Sequence, residues 1–252
     1  MRLRQKTKNI IGGVITFAFF IGLIVLYQLL IVNGEQFEIK TINLDNDKQY
    51  LSSLLESYNI ANGKNIFSFN AKKTSSIIEE KLHHIRSVKI KKELPSTVYV
   101  DISHRVPIMR LSENLLYVTD DTGKVFMATK HNTTSDIFET IPILLDEEAV
   151  LLRPGDTLNS KAQLALDIIT KFNTIIDPSF SITQIDTSNE IYIILRTNKN
   201  KNIFIAWEEL TDEQLISKGI EIAVNAMIKG GNSPLSKIIV LVKESRAHFA
   251  QM

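Results

Sequence analysis

Val88-Lys89-Ile90-Lys91-Lys92-Glu93-Leu94-Pro95-Ser96-Thr97-Val98-Tyr99-Val100-Asp101-Ile102 is the stretch from which the architecture can be read. Val88, Ile90 and Leu94 fall on one face of an extended chain, and Lys89, Lys91 and Glu93 on the other, which is the period-two signature of a half-buried strand. Pro95-Ser96 turns the chain, and in the return strand Val98, Val100 and Ile102 alternate with Tyr99 and Asp101. A hairpin with one apolar face must be covered, and the upstream sequence supplies the cover. Asn70 is placed as the N-cap of a helix whose inward stripe is Thr74, Ile77, Ile78, Leu82 and Ile85. Before it, Ile66-Phe67-Ser68-Phe69 is a brief apolar return. Asn62-Gly63 breaks an earlier helix over 47–57, marked by Tyr50, Leu51, Leu54, Leu55 and Tyr58. Phe37, Ile39, Ile42 and Leu44 open the unit as a short strand with a phase slip. The order is β-α-α-β-β over residues 36–104, with two helices on one face of a sheet.

Beyond Pro107 the pattern becomes richer in strands. Leu115-Leu116-Tyr117-Val118 and Val125-Phe126-Met127 flank Thr119-Asp120-Asp121-Thr122-Gly123-Lys124, a hairpin turn. After a loop rich in Thr and Asn comes Ile141-Pro142-Ile143-Leu144-Leu145. A helix over 160–173 carries Leu164, Ile168, Ile169 and Phe172 inward. Residues 182–185, 191–197 and 203–207 read as a meander, turned by Asn198-Lys199-Asn200-Lys201. Thr211 with Gln214 forms a capping box for a helix reaching about residue 228, and 238–242 reads as the final strand. The fold class is therefore α+β: a compact β-α-α-β-β domain, then a mixed, β-rich domain with two helices over 105–252.

The N-terminus is of a different kind. Arg2, Arg4, Lys6 and Lys8 lie in a stub, 1–9, with no acidic residue, and residues 10–32 are uncharged and largely apolar. A helix of that length spans about 34 Å, against a hydrocarbon core of roughly 30 Å. The run is longer than a signal-peptide core and lacks a small-x-small exit, so it reads as an uncleaved transmembrane helix in contact with membrane lipid. Basic residues flank only its N-terminal side, which places the stub in the cytoplasm and the body outside.

Composition removes several classes of function. Cysteine is absent, so disulfides and thiolate chemistry are absent too. Without the four basic residues of the stub the body has a net charge of −3, which argues against nucleic acid. No G-x-S-x-G, Walker loop or H-E-x-x-H occurs, so nucleophilic, phosphate-binding and zinc-hydrolase readings have no seed. His83-His84 are adjacent and diverge on a helix, Glu147-Glu148 and Glu208-Glu209 read as solvated pairs, Arg153-Pro154-Gly155-Asp156-Thr157 as a turn, and Trp207 as core. No cofactor, metal or small-molecule substrate is expected. The one basic concentration outside the stub includes Arg86, Lys89, Lys91 and Lys92. It is either a solvated sheet face or a docking edge for an acidic partner segment.

A basic stub, one anchor, a β-α-α-β-β unit and a β-rich unit, in that order, resemble the FtsQ/DivIB family of bacterial cell-division proteins. Ile66-Phe67-Ser68-Phe69-Asn70 is similar to the family's entry to its second helix. Residues 85–100 resemble its strand–Pro–strand signature, with Pro95 at the turn. Pro107 matches an "E-x-x-P" position, and Tyr117-Val118-Thr119-Asp120 with Gly123-Lys124-Val125-Phe126 resembles "l-V-d-x-x-G-x-V-F". Leu94 stands where the family often has Trp, His104-Arg105 where it has an acidic position, and 238–242 lacks the Asp and Arg of "I-D-L-R".

The resemblance implies a polypeptide-transport-associated (POTRA) domain beside the membrane and a β domain beyond it. It implies no enzymatic activity, but a scaffold at the division septum, anchored in the inner membrane with its body in the periplasm. The partners it implies are the small bitopic proteins FtsB and FtsL, with other division proteins. The contact is expected at the C-terminal strand, Ile238, Ile239, Val240, Leu241 and Val242, read as a free edge open to strand addition. Without the Asp and Arg, such a contact would rest on backbone hydrogen bonds and apolar side chains. Two other readings are an inner-membrane secretion component and a membrane-anchored cell-wall enzyme. The enzyme needs a convergent acid–base or nucleophile set, and the sequence displays none.

Overall fold

The computed structural model describes residues 2–28, 30, 34–44, 63–112, 116–129, 133–175, 180–230 and 237–250. The helix expected over 47–57 lies outside them. The chain is mixed α+β and divides into two compact units, Met1–Lys81 with Ile85–Ser103, and Leu82–His84 with His104–Met252.

The first unit begins with helix α1, Arg2–Tyr27, so the helix starts within the basic stub. Every described side chain from Gly13 to Gln28 is exposed, Phe17, Phe20 and Ile24 among them. Among the described residues no helix is long and apolar enough to cross a membrane.

A 3-10 turn, Glu35–Phe37, leads to strand β1, Thr41–Leu44. The strand is thus shorter than the run from Phe37 to Leu44 that was expected. Ile39, ahead of it, is buried and donates its N–H to Lys64 O. Helix α2, Ala71–Lys81, starts where Asn70 Oδ1 accepts from Lys73 N at 3.0 Å. Ile78 is its buried residue, with Thr74 and Ile77 half-buried. Leu82 and Ile85 are not helical: the helix stops at Lys81, and Ile85 is the first, fully buried residue of β2, Ile85–Glu93. Strand β3, Thr97–His104, lies centrally in the order β1-β3-β2, parallel to β1 and joined to β2 by the turn at 94–96.

Alternation in β3 is as expected: Val98, Val100 and Ile102 are buried and Tyr99 and Asp101 exposed. In β2 it slips. Ile85 and Val88 are both buried, Ile90 is half-buried, and Leu94 is 59% exposed. Val88 N donates to Glu79 Oε1 at 2.7 Å, which ties the strand to α2.

The second unit is built on a nine-stranded sheet in the order β12-β11-β10-β9-β8-β7-β4-β5-β6. Its strands are β4 Met109–Arg110, β5 Tyr117–Thr119, β6 Val125–Met127, β7 Ile143–Leu145, β8 Ile182–Asp186, β9 Tyr192–Thr197, β10 Asn202–Ala206, β11 Lys237–Leu241 and β12 Arg246–Ala250. Pairing is parallel at β10–β11, β7–β8 and β4–β7 and antiparallel elsewhere. Among the described residues three helices accompany it, not two: α3 Ser135–Thr140, α4 Ser160–Ile175 and α5 Glu213–Lys229. The short α3 arises inside the Thr/Asn-rich loop because Thr134 accepts from Ile137 N and caps it.

Helix α4 buries Ile168, Ile169 and Phe172 as expected, together with Ala162, Ala165 and Leu166; Leu164 is half-buried. Helix α5 starts one residue later than the capping box implies. Asp212, not Thr211, is the N-cap, with Oδ1 accepting from Leu215 N at 2.9 Å. In β9, β10 and β11 alternate residues, among them Ile193, Leu195, Ile203, Ile205, Ile238 and Val240, share one core with both long helices. The sheet therefore has one strongly apolar face.

Candidate partner-binding edges

A sheet offers a partner its unpaired backbone at an outer strand, so the two ends of the nine-stranded sheet determine what the second unit can do. At one end β6 is covered. Val125 N donates to Asp156 O and Gly155 N to Val125 O, both at 2.9 Å, and Leu158 N donates to Gly123 O at 3.1 Å. Lys124 and Thr157 form a bridge, and Lys124 Nζ donates to Gly155 O. The turn expected at Arg153–Thr157 is thus an edge cover.

At the other end lies β12, with β11 on one side and no further strand among the described residues. This corrects the expectation for Ile238, Ile239, Val240, Leu241 and Val242. Strand β11 is not terminal: Val242 N is taken by Glu209 Oε2 at 2.5 Å, and the turn closed by Ser245 N donating to Val242 O reverses the chain. Arg246–Ala250 then pairs along β11, in register from Leu241↔Arg246 to Lys237↔Ala250. Ile238, Val240 and Val242 are fully buried. Val240→Pro should therefore unfold the unit rather than loosen one contact. It removes a ladder donor between two paired neighbours, at a cost of about 3 kcal/mol or more, read as a lost or sharply lowered melting transition.

Sequence reasoning missed β12 because its composition is weak for a strand. Only Ala247 packs on the core, and Phe249 is 38% exposed. The available signal was the turn at Lys243-Glu244-Ser245, where Ser245 has φ 56°, followed by the alternation of Ala247 and Phe249. Glu209, read as solvated, in fact ties a 3-10 turn to β11. Trp207, read as core, is half-buried and packs against the core, donating its indole N–H to Asn189 O at 2.9 Å.

In the first unit, β2 is an outer strand. It carries Arg86, Lys89, Lys91 and Lys92, all exposed, with Lys92 Nζ 5.7 Å from the centre of the Phe69 ring. The exposed Tyr99 hydroxyl interacts with Glu93 on β2 and Asn43 on β1. The bond to the Glu93 carboxylate raises its pKa, against a smaller lowering by Asn43. The basic side chains thus sit on an edge that Tyr99 cross-links to its neighbours.

The motif residues Pro107, Gly123 and Phe126 are buried, whereas Pro95 is exposed in its turn. Gly123 has φ +75°, a backbone conformation that favours glycine. Asp120 is buried. Its Oδ1 accepts from Thr122 N, Thr122 Oγ1 and Lys124 N, and its Oδ2 from Arg105 Nη1. Arg105 also donates Nε to His83 O and its amide to His84 O, which joins Leu82–His84 to the second unit. His83 packs its ring on Gly155, and His84 stacks on His104 with ring centres 5.9 Å apart. Among the described residues no group of three or more His, Asp or Glu is placed to hold a metal ion.

Residues 37–105 match the family model of the POTRA domain, FtsQ-type. The match supports the resemblance to the FtsQ/DivIB family. It coincides with the three-stranded sheet and α2, and a POTRA domain of this type points to a non-catalytic scaffold in cell division, working by protein–protein contact. No curated protein matches the chain. The POTRA match ends at Arg105, and the nine-stranded sheet lies beyond it.

Proposed function

We propose that this chain is a membrane-anchored scaffold of the bacterial division machinery that recruits partners by strand addition at β12. The carrying observation is the asymmetry of the large sheet: among the described residues β6 is covered by its own chain and β12 is not. An incoming strand would gain backbone hydrogen bonds from β12 and side-chain contacts at alternate positions. FtsB-like and FtsL-like bitopic proteins are the partners the family resemblance supplies. The basic outer strand β2 of the POTRA module supports a second docking edge, for an acidic segment.

The anchor is part of the same reading. A helix that exposes Phe, Ile, Leu and Val over its whole described circumference is not at rest in water. With 10–32 uncharged in the sequence and basic residues only on the N-terminal side, we read α1 and the residues after it as a single inner-membrane span. The stub is then cytoplasmic, the body periplasmic, and the protein sits at the septum.

Adjacent amides of a strand point to opposite sides, which gives a clean test. Of Ala247→Pro and His248→Pro, one removes an inward donor to β11 and the other an outward donor alone. The outward variant is expected to keep its melting cooperativity and lose capture of an FtsB-like partner. Capture undiminished in both variants would exclude strand addition at β12. A fluorescent fusion to the full chain is expected at mid-cell in dividing cells; a uniform envelope signal would remove the division reading.

A further inference from the structure

Two aromatic rings stand where the chain leaves α1. Phe37 and Phe67 meet edge-to-face, with centres 5.1 Å apart and planes at 64°. The backbone fixes them side by side: Ile66 N donates to Phe37 O at 2.8 Å, and Glu38 and Asn65 form a bridge. Asn65 Oδ1 accepts from Phe67 N at 2.9 Å. Ile66 is fully buried, and its neighbour Phe67 is 44% exposed. An exposed, backbone-pinned phenylalanine paired with a second ring is costly in water and well suited to the zone between headgroups and hydrocarbon.

The approach from α1 is equally constrained. Phe37 N donates to Gly34 O at 2.9 Å. A Cβ on Gly34 would lie 2.4 Å from Leu30 O and 3.5 Å from Phe37 Cδ2. The first is a backbone atom that cannot step aside like a flexible side chain, so a side chain at position 34 would displace the chain there. If the span ends near Val32, Phe37 lies within about 17 Å of contour from it. Tyr27 and Leu30 are exposed on the same stretch of chain. Near the rings, Glu35, Glu38, Lys40 and Lys64 balance in charge, so attraction to anionic headgroups is not the driving force.

We propose that Phe37 and Phe67 form an aromatic foot that rests in the interfacial layer of the outer leaflet, held there by the close-packed elbow at Gly34. The occupant of this surface is the lipid bilayer itself, and the inference rests on the reading of α1 as an anchor. The foot would fix the POTRA module's height and orientation at the membrane, where a flexible tether would leave both free.

The chain has no cysteine, so single-cysteine variants can be spin-labelled without background. Phe67→Cys, Phe20→Cys and Glu190→Cys of the full chain, labelled and reconstituted in phosphatidylcholine vesicles, would be compared by collision with oxygen and with a water-soluble nickel complex. The expected order of oxygen preference is Phe20 highest, Phe67 intermediate and Glu190 lowest. Position 67 as accessible to nickel as position 190, with position 20 protected, would overturn the foot and leave the anchor standing. Position 20 open to nickel would overturn the anchor and the foot together. A shift at 67 that appears only when anionic lipid is added would replace aromatic insertion by charge and overturn the proposal. Adding Gly34→Val to the Phe67→Cys chain should shift the label toward water; an unchanged depth would remove the elbow from it.

Discussion

Val98→Asp is expected to abolish cooperative folding of the POTRA module while the second unit stays folded. Val98 is fully buried on the central strand of the three-stranded sheet, opposite Ile42 in the parallel register with β1. A carboxylate there loses its water and has no cation to meet, a penalty of several kcal/mol even after relaxation. The core of a module of this size rarely supplies more than about 3–5 kcal/mol, so the penalty wins. Pulse proteolysis of the full chain in detergent should show cleavage within 71–103 and protection of 104–230. Ile90→Asp should be milder, because Ile90 is only half-buried on the outer strand β2, and Lys91→Asp should change stability by no more than about 0.5 kcal/mol. Equal losses at positions 90, 91 and 98 would show that the sheet faces are assigned wrongly.

Asp120→Ala is expected to lower the melting temperature of the second unit by about 10 °C. It leaves the Arg105 guanidinium, mostly buried beside it, without its anion, and strands the Thr122 and Lys124 amides that the carboxylate holds. Breaking a buried, hydrogen-bonded pair from one side costs about 3–5 kcal/mol, and each kcal/mol is worth about 2–4 °C in a unit of this length. Burial pushes the Asp120 carboxyl upward, but hydrogen bonds from Thr122, Arg105 and Lys124 outweigh it, and its pKa lies below the ordinary carboxylate value. The sign of the pH effect follows. A depressed native pKa adds stability above the unfolded value of about 3.9, and that stability is lost as pH falls through the native value. The natural chain should therefore lose stability more steeply than Asp120→Ala below about pH 4, with the two melting curves converging. A constant offset between them down to pH 2 would show that ionised Asp120 is not the stabilising species.

The legible parts of this fold are those in which cause and residue are close in sequence. The alternation of Val98, Val100 and Ile102 and the cap at Asn70 act within a strand or a helical turn, and both are realised as read. The Asp120–Gly123 turn was legible for the same reason, since its bonds join residues two to four apart. The slip in β2 was not, because a change of phase within a strand is set by what packs against each face and not by the strand's own pattern. Nor was the cap at Asp212 separable from Thr211, since both residue types cap helices and only the direction of the first turn distinguishes them.

The candidate site divides along the same line. Composition alone removed thiol chemistry, and the uncharged run over 10–32 with its one-sided basic flank was sufficient to raise the anchor. That 238–242 forms a strand is written in its β-branched residues. That this strand is internal is not, because being an edge is a property of a strand's neighbours and not of its own side chains. Arg246–Ala250 has little strand propensity and pairs only because the turn at 242–245 lays it against β11. The cover on β6 likewise comes from a loop some thirty residues downstream in the chain. Backbone hydrogen bonds between distant segments carry almost no side-chain signature, so the position of the open edge was settled only when the whole sheet had been assembled.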